Sequence, residues 1–353
     1  MFKNVLTAAD VHEFKNWMTW ADRFVILTHT GPDGDAVGSS LALCSFLRDK
    51  GKDAVVIVPD QAPDFLSWLP GFKDIHVYAA DSGVCDELIS KADVLCGLDF
   101  NTVSRIAGAS AGFVSSKAKK IMIDHHPYPG PDFDLTVSHP ELSSASELVY
   151  HFLCAMGQYK SITEDIATCM YTGIMTDTGG FSYSSSDPNL FIVVSSLLDA
   201  GVDKDAAYAH VFHSWSESRL RLQGFVLHEK MKIFKDCSTA LITLSSGEME
   251  KFDCRKGDTE GLVNMPLQIL GIKMSVFLRE DSERNQIKLS ARSTGSVPCN
   301  RFASDFFGGG GHLNAAGGEF NGTLEQAVAR FMTGLKSWKK STDDSIRQLF
   351  KQQ

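Results

Sequence analysis

The chain has 353 residues, enough for two domains that each bury a core, and 43% hydrophobic against 22% charged residues is an ordinary globular balance. Its charge is lopsided: residues 1–200 hold 13 Lys+Arg against 25 Asp+Glu, whereas residues 201–353 hold 21 against 18. The acidic first half excludes a protein that coats long duplex nucleic acid, no apolar run reaches bilayer length, and eight cysteines without a C-x-x-C pair exclude a zinc ribbon or disulfide framework. Free cysteines and an N-terminus without an apolar signal segment lead us to expect a cytoplasmic protein.

The stretch FKNWMTWADRF (14–24) reads as a packing helix, with Trp17 and Trp20 on one buried stripe. Short apolar runs rich in Val, Ile and Leu follow at 23–29, 53–59, 74–79, 92–99 and 119–124, and each reads as a buried strand. Helical patterns separate several of them, most clearly at 35–51, where a glycine follows the last turn. Alternating strand and helix predicts a parallel sheet covered on both faces, in which ligands bind at the carboxyl ends of the strands. Helices are predicted over 143–157, 163–178 and 187–201. A helical, more basic stretch then continues through 203–231. Strands are expected over 231–245, 272–280 and 286–293, and a helix over 323–340. The expected fold class is α/β. Its layout is a parallel-sheet domain over 1–200, a helical connector over 201–229, a smaller mixed-sheet α/β domain over 230–341 and a polar tail over 342–353.

Acidic residues and histidines collect at the predicted strand ends. The first strand runs into His29, Asp33 and Asp35, the fourth ends in Asp99, and the fifth ends in Asp124-His125-His126. Asp177 comes from the helical stretch 163–178. Taken singly, each aspartate fits a helix cap or a turn, and Asp35 fits the cap of the helix it opens. Collected on one rim, carboxylates and imidazoles suit Mn²⁺ or Mg²⁺, and a pair of such ions about 4 Å apart suits in-line attack on phosphorus. His12, His76, His139, His151 and His228 are expected to be structural.

The run H-x3-D-x-D-x2-G, a strand-end Asp, Asp-His-His and a later Asp resembles the DHH phosphoesterase superfamily. FGGGGHLNAAGGEF (307–320), with LSARS (289–293) before it, resembles the glycine-rich signature of the DHH-associated C-terminal domain. The whole chain looks like the NrnA type, a nanoRNase that trims very short oligonucleotides to mononucleotides and often dephosphorylates 3′-phosphoadenosine 5′-phosphate (pAp). This resemblance implies two divalent cations, Mn²⁺ first and Mg²⁺ second. His29, Asp33 and Asp99 would hold one ion. Asp35, Asp99, His125 and Asp177 would hold the other, with Asp99 bridging. It also implies that His126 stands near the scissile phosphate, that Asp124 orients an imidazole, and that Arg105 stabilises phosphate charge. Arg292, Ser293, Gly309, Gly310, Gly311 and His312 would bind the substrate's far phosphate, the glycines because their free N–H groups can wrap it. The site is expected in the cleft between the domains.

Expected partners are short single-stranded oligonucleotides and nucleotides, with no long duplex and no membrane, for a monomer or homodimer. A phosphodiesterase for linear or cyclic dinucleotides such as pApA shares every motif. A pyrophosphatase or exopolyphosphatase is the more distant alternative, opposed by the glycine-histidine signature.

Overall fold

The computed structural model describes residues 5–213, 215–255, 257–281 and 284–350. The chain divides into two compact units, with the boundary between residues 214 and 215.

In the first unit the hydroxyl of Thr7 caps α1 (Ala8–Trp20), which buries Val11, Phe14 and Trp17. Trp20 was expected on the same stripe but is 52% exposed. Steps of three lag behind the 3.6-residue turn, so a stripe begun at Val11 has rotated to the opposite face by Trp20. There follow β1 (Arg23–Leu27), α2 (Gly34–Asp49), β2 (Asp53–Val58), β3 (His76–Val77), α3 (Ser82–Lys91) and β4 (Val94–Leu98). Next come α4 (Ser110–Ser115), β5 (Lys119–Asp124), β6 (Leu135–Ser138), α5 (Ala145–Ala155), α6 (Glu164–Asp177), α7 (Pro188–Asp199) and α8 (Lys204–Phe212).

The six strands form one sheet in the order β3-β2-β1-β4-β5-β6, parallel throughout. The edge strand β6 was not foreseen. It has four residues and alternates buried and exposed, too little pattern to stand out in sequence. Successive side chains of β1 serve two cores: Phe24 and Ile26 pack on one face of the sheet, Val25 and Leu27 on the other. The strand order reverses between β1 and β4, which opens a crevice at their carboxyl ends.

The second unit begins with α9 (Glu217–Phe225), which passes into a π-helical turn, Val226–Lys230. It continues with β7 (Lys232–Phe234), β8 (Thr239–Leu244), α10 (Ser246–Lys251), β9 (Met274–Asp281) and β10 (Gln286–Ser293). It closes with α11 (Cys299–Phe307), β11 (Gly310–His312), β12 (Ala315–Phe320) and α12 (Leu324–Phe350). The sheet order is β11-β12-β10-β9-β8-β7, antiparallel except at β8/β9.

The strand expected over 231–245 is interrupted by a 3₁₀ turn, Lys235–Cys237, after which Ser238 takes a left-handed conformation, φ 47°. The helix expected to stop at 340 continues to Phe350, into the stretch read as a polar tail, while residues 351–353 lie outside the described residues. The stretch expected as a connector, 201–229, is divided, α8 belonging to the first unit and α9 to the second.

Candidate metal centre

Each candidate side chain reaches the β1/β4 crevice by a separate local device. After β1 the chain turns at Gly31, whose N–H donates to Asp60 Oδ2 at 2.8 Å, and the neighbouring Thr30 N–H donates to Arg105 O at 2.7 Å. Asp33, not Asp35, caps α2: its Oδ1 accepts from the N–H groups of Asp35 and Ala36. Asp35 is buried, and its two oxygens accept from Ala145 N at 2.6 Å and Ser146 N at 2.9 Å, in the first turn of α5. Asp99 follows β4 in a left-handed conformation, φ 61°, uncommon for a residue with a Cβ and frequent at functional sites. β5 delivers Asp124, His125 and His126, and α6 ends on Asp177.

Asp35 and Asp177 meet because α2 and α6 pack through glycine. A Cβ on Gly34 would fall 2.3 Å from Thr176 Oγ1, one on Gly38 2.5 Å from Cys169 O, and one on Gly173 2.8 Å from both Ser146 Cβ and Asp35 Oδ1. Any larger residue at these positions would force the helices apart.

The resulting distances centre on Asp99. Its Oδ2 is 3.3 Å from His29 Nε2, and its Oδ1 is 3.4 Å from His125 Nε2. His29 Nε2 also faces Asp33 Oδ1 at 4.0 Å, while His125 Nε2 faces Asp177 Oδ2 at 3.4 Å and Asp35 Oδ2 at 3.9 Å. Both rings turn Nδ1 to a backbone carbonyl, His29 to Thr30 O at 3.0 Å and His125 to Leu142 O at 3.4 Å. That arrangement favours a proton on Nδ1 and leaves Nε2, on the carboxylate side, as the nitrogen that would bind a cation in place of its own proton. His126 Nδ1 lies 2.8 Å from Asp124 Oδ1, so the imidazole that Asp124 orients is that of His126.

Two donor sets share this space, His29-Asp33-Asp99 and Asp35-His125-Asp177. A third combination, Asp99-His125-His126, overlaps them, and in each set one donor atom per residue lies within 4.8 Å of the others. Oxygen-rich sets with imidazole suit Mn²⁺ or Mg²⁺.

The electrostatics fit the same group. Burial, then the charge of Asp99, pushes Asp35 up to about 7. Burial also drives Asp177 well above the carboxylate range, against the pull of His125. Burial lowers His29, as does Arg105 more weakly, but Asp99 and Asp33 outweigh both and push it up to about 9. His125 is raised for the same reason, burial being overcome by Asp99 and then Asp177. Burial would raise Asp99, but His125 and His29 hold it well below its ordinary value. Carboxylates crowded until some must keep a proton call for added positive charge. Asp99 Oδ1, buried with no hydrogen-bond partner among the described residues, points to the same need.

In the second unit the glycine run is not a free loop. Gly308 is the left-handed cap of α11, φ 59°, and the next residues enter a β11–β12 hairpin in which Gly310 pairs Gly317, Gly311 pairs Ala316 and His312 pairs Ala315. A Cβ on Gly309 would meet Gly317 O at 1.8 Å, and one on Gly311 would meet Ala315 O at 2.4 Å, whereas Gly310 faces open space. Close backbone packing therefore accounts for two of the glycines expected to wrap a phosphate. Arg292 also pairs Ala315, from β10, so Arg292 and His312 occupy one row of the sheet, about 10 Å apart by strand spacing. The Ser293 hydroxyl is already engaged, donating to Val297 O at 2.6 Å and accepting from Asn314 Nδ2 at 2.9 Å.

Carboxylates and imidazoles gathered at the β1/β4 crevice of a parallel sheet suit a metal-dependent hydrolase, and comparison with known proteins gives the class, a phosphoesterase. The chain belongs to the DHH family: the model of the DHH family N-terminal domain matches residues 23–174, and that of the DHHA1 domain matches residues 239–341. It is 34% identical, over 88% of both chains, to the bifunctional oligoribonuclease and PAP phosphatase NrnA of Thermus thermophilus. It is 26% identical to the NrnA of Bacillus subtilis, over 84% of this chain and 88% of that one. A crystal structure of an exopolyphosphatase-related protein from Bacteroides fragilis superposes with a TM-score of 0.92 at 50% identity, covering 96% of this chain and 98% of that one.

Proposed function

We propose that this protein is a metal-dependent hydrolase that cuts very short oligonucleotides to mononucleotides and dephosphorylates pAp. The observation that carries the reading is Asp99, a buried carboxylate with one oxygen toward His29 and the other toward His125. His29, Asp33 and Asp99 would hold one cation, and Asp35, Asp99, His125 and Asp177 the other, Mn²⁺ being our first choice. Such ions make water nucleophilic near neutral pH and neutralise charge on the phosphoryl oxygens.

The chain's own groups do the rest. Asp124 fixes the His126 ring, and His126 would pass a proton to the leaving oxygen. Arg105, close enough for its charge to be felt by His29, adds positive charge at the crevice. In the second unit Arg292, His312 and the exposed backbone at Gly310 and Gly311 would take a terminal phosphate. Gly309 and Ser293 would support that surface by packing and hydrogen bonding. The substrates proposed are short and single-stranded. Among the described residues no helix is long and apolar enough to cross a membrane, and we propose a cytoplasmic enzyme.

A competition assay with Mn²⁺, offering pAp, a linear dinucleotide, a five-nucleotide RNA, pyrophosphate and polyphosphate together, tests the reading, with Asp99→Ala as the blank. Preferential loss of the dinucleotide and pAp is expected. Similarity to the exopolyphosphatase-related protein, at 50% identity, keeps polyphosphate hydrolysis as a second reading, and preferential loss of polyphosphate would establish it instead.

A further inference from the structure

We infer that Glu147 is a positioning residue for the Asp35-His125-Asp177 cation site, acting through the turn over 139–146; this rests on the two-cation reading above. The turn is fastened to β5 at its start, where His139 N–H donates to Asp124 O at 2.9 Å and Leu142 N–H donates to His139 O at 3.0 Å. It then presents three backbone groups in succession. Leu142 O faces His125 Nδ1, and the N–H groups of Ala145 and Ser146 each take one oxygen of Asp35. One short segment thus sets the orientation of two donors that arrive from different elements, β5 and α2.

Glu147 holds that segment in shape. Its Oε2 accepts both from Ser143 N at 2.8 Å and from Ser143 Oγ at 2.7 Å, and its own N–H donates to Ser144 Oγ at 3.0 Å. A glutamate at this helical position ordinarily reaches back to the N–H of the capping residue. Here it reaches one residue further and ties down Ser143, between the carbonyl that faces His125 and the amides that hold Asp35. Glu147 is only 2% exposed. A cap alone would work as well in water, and burying a carboxylate is costly, so the burial calls for a further role. His151, expected to be structural, stands one turn on with Nε2 3.6 Å from Glu147 Oε1. Losing the carboxylate would leave the Ser143 N–H without its acceptor and free the turn to shift both Asp35 and His125.

Outer-sphere groups of this kind alter metal affinity by about 10–100-fold. The test is a Mn²⁺ titration of the full-length, metal-free protein, counting bound equivalents from the electron paramagnetic resonance signal of free Mn²⁺. In Glu147→Ala one equivalent should weaken by about 10–100-fold while the other keeps its affinity. Glu147→Gln, which retains an acceptor for Ser143, should recover part of the loss. Two normal equivalents in Glu147→Ala, an equal weakening of both, or no recovery in Glu147→Gln would overturn the inference. If Glu147→Ala does not fold, Ser143→Ala removes only the hydroxyl contact and is read by the same criteria. A wild-type protein that takes up no Mn²⁺ would overturn the two-cation reading itself, an outcome separate from the others.

Discussion

Replacing Gly38 with alanine should weaken cation binding without altering a donor atom. The added Cβ would meet Cys169 O at 2.5 Å, Gly173 N at 3.0 Å and Gly173 Cα at 3.2 Å, all backbone atoms of α6. No rotamer can relieve backbone against backbone. Ordinary contact begins near 3.4 Å, so α2 and α6 must part, and a displacement of about 1 Å at a catalytic centre can lower activity by about 10²-fold. Overpacking costs about 1–3 kcal/mol, and alanine recovers about 1 kcal/mol over glycine inside a helix, leaving a net loss of about 0–2 kcal/mol. Gly112→Ala on α4 is the matched control, since its nearest neighbour, Asp86 Oδ1, stands at 3.5 Å. That variant should gain about 0.4–1 kcal/mol. Urea unfolding of the metal-free proteins and Mn²⁺ titration would read both effects. A Gly38→Ala protein as stable as Gly112→Ala, or one destabilised but normal in Mn²⁺ uptake, would refute the idea that glycine packing sets the site.

Asp99→Asn keeps the shape and removes the charge of the carboxylate that lies between His29 and His125, the one proposed to bridge the two cations. It should abolish high-affinity uptake of both equivalents and cost more than the roughly 10–100-fold typical of outer-sphere groups, and retention of one tight equivalent would argue against a bridging role. Stability of the metal-free protein should fall with rising pH. Asp35, raised from 3.8 to about 7, binds its proton more tightly when folded, so folding weakens as pH climbs through that window. His29, raised from 6.5 to about 9, contributes fully below 6.5 and loses its contribution through 9. Thermal melts in chelator from pH 5 to 9 should show Tm falling, and saturating Mn²⁺ should reverse the slope because ligands must be deprotonated to bind; a Tm that rises in chelator would contradict the account. In the second unit Gly310→Ala meets nothing within 4 Å and should fold normally while raising KM for pAp, whereas Gly309→Ala, whose Cβ would fall on Gly317 O, should destabilise the hairpin. Equal stability of the two variants would place the hairpin packing in error.

The chemistry of the rim was legible from residue order. His29, Asp33, Asp35, Asp99 and Asp124-His125-His126 lie at or near the ends of apolar runs, and parallel sheets bring such ends to one edge. The two-domain α/β character was legible as well, because buried parallel strands read as continuous apolar runs. Elements defined mainly by their partners were not: β6 is four residues on an edge, and β11 and β12 are composed largely of glycine and alanine, which carry little strand signal.

What tertiary structure alone decided is which group does what. Local sequence offered Asp35 as the cap of α2. In the fold Asp33 takes the cap, and Asp35 turns to the α5 amides, contacts that span more than a hundred residues. Asp177 reaches the site only because Gly34, Gly38 and Gly173 let α2 and α6 approach, and spacing along a chain does not encode the distance between two helices. The left-handed backbone at Asp99 and the reach of Glu147 to Ser143 belong to the same class. The sequence determined the donor types and the edge where they gather, because those follow from local periodicity. Their aim depended on long-range packing, which brings distant backbone groups into contact.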